Sequence, residues 1–199
     1  MNILVATTNK GKLYEFQKIF YINHNIKLFT LDDLSIKIDV EETGQTFKEN
    51  AAIKADYYHK ISGIPTISED SGLEIFKLGG EPGIYSARYG GEELNDVERT
   101  ELVLEKMKDF QNPFRGAEFT SVICGVGFKK EKLFSKGVLR GYISNKKQGK
   151  NGFGYDPIFC LENEKTSLAC KSIDEKNQIS HRRKSIDKFL KILIKDRIV

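Results

Sequence analysis

The chain has 199 residues, of which 39% are hydrophobic and 30% charged, with a formal net charge of +4. This is an ordinary balance for a soluble globular protein with a real core, sized for one domain or one domain with two lobes. No window approaches the roughly 18 to 20 apolar residues that cross a bilayer, and the short apolar start Met1-Asn2-Ile3-Leu4-Val5-Ala6 lacks the basic region of a secretory signal. The mild basic excess suits a polyphosphate or nucleic acid and does not decide between them. Cys124, Cys160 and Cys170 have no metal-ligand spacing, and their odd count points to reduced thiols in a cytoplasmic protein.

In chain order, Asn2 to Ala6 predict a buried strand, and Thr7 to Lys12 a turn. A helix follows with Leu13, Phe16 and Phe20 on one stripe. Leu28 to Leu31 predict a second strand, and Glu41 to Gln45 a polar loop. Thr46-Phe47-Lys48-Glu49 fits a capping box that opens a helix running to about Ile61. Thr66 to Ser68 and Leu73 to Phe76 predict strands on either side of a turn at Glu69-Asp70-Ser71-Gly72. The stretch Leu78 to Gly83 is a loop, and Asn95 or Asp96 caps a helix through Met107. Phe119 to Phe128 and Leu133 to Ile143 read as a hairpin. A glycine-rich loop spans Gly149 to Pro157, and the last helix gathers Ile186, Phe189, Leu190, Leu193 and Ile194 on one face. Strands and helices interleave, so the fold class is α/β with some antiparallel pairing.

Four stretches carry chemistry. Thr7, Thr8, Asn9, Lys10, Gly11 and Lys12 join a strand to a helix, where free N–H groups and the positive end of the dipole suit phosphate, although the spacing is not that of a P-loop. An ordinary strand-to-helix turn would read the same way. Glu41-Glu42 and Glu69-Asp70 offer hard carboxylate oxygens for magnesium, and a carboxylate can also deprotonate an attacking water. Solvated surface acids are the plainer alternative. Phe153 lies between Gly152 and Gly154, which leaves a ring face for a planar base at about 1–3 kcal/mol, unless the ring is simply buried in a tight turn. Lys176 and Ser180-His181-Arg182-Arg183 offer cations and donors just before the last helix, a place the helix dipole slightly disfavours for them.

The combination and order of these stretches resemble the inosine triphosphate pyrophosphatase family. The matching blocks are Ala6 to Lys12, Glu42-Thr43-Gly44 through Phe47 to Ala51, Glu69 to Leu73, Gly79 to Tyr89, Gly152 to Pro157 and Ile179 to Arg182, so the likeness covers the whole chain. Where bacterial members often have two aspartates, this chain has Glu69-Asp70. The resemblance implies an elongated mixed sheet with flanking helices forming two lobes around a central nucleotide cleft, a homodimer and a magnesium cofactor. It implies that Thr7 to Lys12 hold the triphosphate and that Glu41 and Asp70 approach the metal, with Asp70 the proton acceptor. Ser71 and Lys176 contact substrate, and Lys54 is a further phosphate contact. Phe153, Gly154, Tyr155 and Asp156, with His181 and Arg182, form the base pocket.

The expected reaction is attack of water on the α-phosphorus of ITP, dITP or XTP, releasing pyrophosphate. Donors from His181 or Arg182 aimed at the O6 carbonyl of such a purine would be left unpaired against the amino group of adenine. Two rivals remain. One is a pyrophosphatase of the Maf-like group acting on modified pyrimidine or methylated nucleotides, which the Phe153 loop and the Ser180-His181-Arg182 block argue against. The other is a nucleic-acid-binding module, where the acidic loops would repel phosphate; neither a nucleic-acid partner nor a membrane partner is expected.

Overall fold

The computed structural model describes residues 1–20 and 26–198. Its elements are β1 (Asn2–Ala6), α1 (Lys10–Phe20), β2 (Lys27–Thr30), α2 (Phe47–Ser62), β3 (Thr66–Ile75), α3 (Asp96–Lys106), β4 (Gly116–Val126), β5 (Leu133–Ile143), β6 (Phe159–Leu161), α4 (Ile173–Ile179) and α5 (His181–Lys195). The strands form one sheet in the order β2-β1-β3-β4-β5-β6. β1 pairs in parallel with β2 and β3, and β5 pairs antiparallel with β6. The sheet is mixed and flanked by helices, in line with the α/β expectation.

The chain divides into two compact units. The first contains Met1–Asp70, Ser121–Gly137 and Arg182–Val199, and the second contains Ser71–Thr120 and Val138–His181. In the first unit, alternate residues of β1 feed different clusters. Ile3 and Val5 pack with Phe16 and Phe20 of α1 and Ile186, Phe189 and Leu193 of α5, whereas Leu4 and Ala6 pack with Leu31 and Tyr58. A strand with period-two side chains is apolar on both faces when helices cover both. Gly125 of β4 lets Phe189 approach closely, since a Cβ there would lie 2.4 Å from the ring. In the second unit, Leu73, Ile75, Val103, Met107, Phe119, Ile143, Tyr155 and Phe159 form the core. The buried Arg115 donates to the carbonyls of Phe110, Ile143 and Ser144 and so ties the end of β5 to the segment after α3.

Several local expectations change. Residues 69–72 form no turn, because β3 runs unbroken from Thr66 to Ile75. It has a hydrogen-bonded neighbour on each side, β1 and β4, and pairing within a sheet overrides the turn preference of Ser and Gly. α1 begins at Lys10, so Lys10, Gly11 and Lys12 form its first turn and do not precede it. Thr46 caps α2 by accepting from Glu49 N, but the Glu49 carboxylate accepts from Gln45 N, one residue before the cap. Ile194 is 56% exposed, since it lies one residue, about 100° of helix rotation, past Leu193 at the edge of the buried stripe. Cys124 and Cys160 are buried and Cys170 is exposed, all as free thiols; burial pushes the Cys124 thiol up to about 12.

Candidate active site

The first unit gathers the phosphate-type and acidic residues. At the end of β1, Asn9 Oδ1 accepts from Lys12 N at 3.0 Å, and Thr7 Oγ1 accepts from Asn9 N at 3.2 Å. Asn9 therefore caps α1, and the loop is shaped by its own side chains. Thr8 and Lys10 are exposed, and Thr7, Gly11 and Lys12 are half-buried. The helix start keeps its positive dipole end toward this loop, which suits an anion.

Asp70 lies in mid-strand and is 5% exposed. Its Oδ2 accepts from Asn50 Nδ2 at 3.2 Å, and Lys54 Nζ lies 3.4 Å from its Oδ1. Asn50 and Lys54 stand four residues apart on α2, the spacing that places two side chains on one helix face. Lys54 also donates to Glu42 Oε1 at 2.5 Å. Gly44 N donates to Asn50 Oδ1 at 2.8 Å, and a Cβ on Gly44 would come within 2.6 Å of that oxygen, so the acidic loop lies tight against α2. The acid brought beside Lys54 and Asp70 is thus Glu42, and Glu41, the residue expected there, is exposed. The difference follows from the way Gly44 docks the loop, which turns the second glutamate of the pair inward.

Burial raises the pKa of Asp70 above the usual carboxylate range against the opposing pull of Lys54 and Lys12, and Glu42 adds to the rise. Burial works against the charged form of Lys54, but Asp70 and Glu42 outweigh it and hold its pKa above the ordinary value. Burial also lowers the pKa of Lys12, with Glu69 opposing. A carboxyl raised in this way is a stronger base than an exposed aspartate and so a better proton acceptor.

Glu69 leaves the other face of β3. Its Oε1 accepts from Arg182 Nε at 2.9 Å and from Ser121 Oγ at 2.7 Å. Arg182 Nη1 makes a close ion pair with Glu15 of α1. Burial disfavours the charge on Arg182, but Glu69 and Glu15 outweigh it and raise its pKa.

In the second unit the 152–156 loop is built around Asp156. Its Oδ2 accepts from Phe153 N at 2.9 Å and from Lys176 Nζ at 2.6 Å. Lys176 also sits over the Phe153 ring, 4.4 Å from its centroid. Gly152 is left-handed at φ 78°, and a Cβ there would strike Asp156 Oδ2 at 2.0 Å, so both conformation and space require glycine. Gly154 N donates to Asp96 Oδ2 at 2.9 Å, which ties the loop to the start of α3. A hollow of about 250 Å³ borders Phe153 and Gly154 and is also lined by Thr100, Lys147 and Lys150. The Tyr155 ring belongs to the core and its hydroxyl donates to the Ser86 carbonyl at 2.9 Å. His181 stacks on Phe119 with ring centroids 4.9 Å apart and is 5% exposed. Ser71 follows Asp70 in β3 and is half-buried.

Sequence reasoning named the pair Glu41-Glu42 but favoured Glu41 as the inward acid, and it missed Asn50, Glu15 and Ser121. Glu15 left a signal, since it lies beside Phe16 on the stripe that α1 buries, where an acid needs a partner. Among the described residues no group of three or more His, Cys, Asp or Glu gathers to hold a metal. Glu42 and Asp70 still supply two hard carboxylates about one lysine, which fits an ion such as magnesium that takes one or two carboxylates and completes its shell with substrate phosphate and water.

A model of the Ham1 family matches residues 3–192. The chain is 44% identical over 192 residues to a dITP/XTP pyrophosphatase of Oceanobacillus iheyensis, covering 96% of this chain and 97% of that protein. It is 40% identical over 194 residues to a dITP/XTP pyrophosphatase of Bacillus licheniformis, covering 96% and 97%. Its fold is similar to that of the Staphylococcus aureus Ham1 protein, with a TM-score of 0.87, 40% identity and coverage of 98% of this chain and 100% of that one. A HAM1 protein from Coxiella burnetii gives a TM-score of 0.89 at 38% identity, covering 98% and 99%.

Proposed function

The chain belongs to the Ham1 family, and on that premise we propose that it hydrolyses the non-standard purine nucleoside triphosphates ITP, dITP and XTP to the monophosphate and pyrophosphate. The observation that carries this reading is Asp70, buried with a raised pKa beside Lys54 and Glu42, in the same unit as the Asn9-capped helix start. A relative named for this activity matches nearly the whole chain.

In this reading Thr7 to Lys12 and Lys54 take the triphosphate through first-turn N–H groups and two ammonium ions. Glu42 and Asp70 would hold magnesium, which would supply charge to neutralise the phosphates. Asp70 orients a water and accepts its proton as the water oxygen bonds to the α-phosphorus. The bond from that phosphorus to the bridging oxygen breaks, and pyrophosphate leaves. Preorganised charge from lysines accounts for much of the rate, as in phosphoryl transfer generally.

Base recognition falls to Phe153, Asp156, Lys176 and His181, with Ser71 as a further substrate contact; Arg182, expected to join them, is held by Glu69 and Glu15. Asp156 shapes this site by fixing Phe153 N and Lys176 together. A donor aimed at a purine O6 pairs with hypoxanthine or xanthine and is left unpaired against adenine, at about 1–3 kcal/mol. The homodimer and a cytoplasmic site of action belong to this same proposal. No helix among the described residues is long and apolar enough to cross a membrane.

Hydrolysis of ITP in oxygen-18 water tests the bond that is cut. Label in the inosine monophosphate, with unlabelled pyrophosphate, supports attack at the α-phosphorus. Label in inorganic phosphate or in pyrophosphate removes the proposed reaction.

A further inference from the structure

We propose that Glu69 is a positioning residue for the phosphate end of the substrate, acting through Lys12; this inference rests on the triphosphate reading above. Glu69 and Asp70 are consecutive in β3, so their side chains leave opposite faces. Asp70 meets α2. Glu69 meets α1, β4 and α5 through Lys12, Ser121 and Arg182. Arg182 is held from its other side by Glu15. Two carboxylates and two cations therefore balance one another in a buried cluster, and Ser121 and Ser185 share a hydroxyl contact at 2.8 Å beside it.

The members are unequal. Arg182 lies 2.9 Å from Glu69, with both side chains essentially inaccessible. Lys12 lies 3.4 Å from Glu69 Oε2 and keeps 16% of its side chain exposed, the most of the four. Its backbone N is pinned at 3.0 Å to the Asn9 cap, in the first turn of α1. Lys12 can therefore turn its ammonium to an incoming polyphosphate while Arg182 continues to satisfy Glu69.

Without the carboxylate of Glu69, the charges of Lys12 and Arg182 oppose each other in a poorly solvated space, against the weaker compensation of Glu15 and Asp70. Repulsion then drives Lys12 away from the helix start, where the N–H groups collect phosphate. The role assigned to Glu69 is to hold Lys12 there before the ligand arrives.

The test is a double-mutant cycle on the full chain, read by calorimetric binding of inorganic tripolyphosphate, a probe with neither base nor turnover. E69Q and K12M should each weaken binding about tenfold, and E69Q added to K12M should cost no more than about twofold further, as expected for residues acting as one unit. E69D, which keeps the charge, should recover most of the loss. With ITP as substrate, E69Q should raise KM more than it lowers kcat.

Additive losses in the double variant, or wild-type binding by E69Q, would overturn the proposal. If E69Q does not give a cooperative thermal melt, E69D and K12M carry the test: near wild-type tripolyphosphate binding by E69D with a tenfold loss in K12M is expected, and wild-type binding by K12M, or a loss in E69D as large as in K12M, contradicts the proposal. A coupled loss of tripolyphosphate binding in a protein that does not hydrolyse ITP sinks the activity reading and leaves the Glu69–Lys12 coupling standing.

Discussion

The two faces of β3 treat neighbouring carboxylates in opposite ways. Glu69 accepts from Arg182 and Ser121 within 2.9 Å, and Arg182 is also gripped by Glu15. Asp70 has a 3.2 Å contact from Asn50 and a 3.4 Å contact from Lys54, which itself leans closer to Glu42. Close, multiple pairing makes the first acid part of the scaffold. Burial with looser pairing leaves the second with a raised pKa, as suits the proton acceptor we propose.

The largest expected break in this contrast is kinetic. Asp70→Asn should lower kcat for ITP at least about a hundredfold, the usual contribution of a general base, while nucleotide binding persists. Near-normal turnover would remove Asp70 from its role. Because the folded pKa of Asp70 is raised, its stabilising contribution is present at acid pH, below the unfolded carboxylate value, and is lost as pH rises through the folded value. At neutral pH, Asp70→Asn should therefore unfold in urea no earlier than the wild type.

On the opposite face the order reverses, with stability lost first. Arg182→Ala leaves Glu15 and Glu69 buried without their guanidinium and should cost about 3–5 kcal/mol in urea unfolding. Arg183→Ala breaks a half-exposed pair with Asp187 and should cost less than about 1 kcal/mol. Equal costs would show that the Glu15–Arg182–Glu69 cluster is not the scaffold described.

The smallest effect concerns the link between Lys54 and Asp70. Lys54 lowers the pKa of Asp70 against burial. Lys54→Met should therefore move the acid limb of the kcat/KM profile to higher pH. A shift to lower pH would mean that the limb belongs to another group.

Much of this was legible in the sequence. β1, the start of α2 and the Asn95 cap follow from apolar runs and capping residues, and the structure places them within a residue or so of the expected bounds. The two-faced character of β3 was not legible. A turn and a strand compete for Glu69-Asp70-Ser71-Gly72, and only the neighbours β1 and β4, distant in sequence, decide the contest. Glu42 turns inward because Gly44 docks on Asn50, a contact that no spacing rule predicts. Arg182 reads as a base-facing donor in the sequence, whereas Glu15, 167 positions away, supplies part of its environment. Tyr155 belongs to a glycine-flanked aromatic loop in the sequence, yet its ring reaches the core.

The central claim is tested most directly by the initial rate of pyrophosphate release from ITP and from ATP, measured side by side with and without magnesium. The account predicts magnesium-dependent release from ITP that is at least about tenfold faster than from ATP, the ratio that one unpaired buried donor supports. Equal rates on the two nucleotides, or no release from ITP, would contradict it.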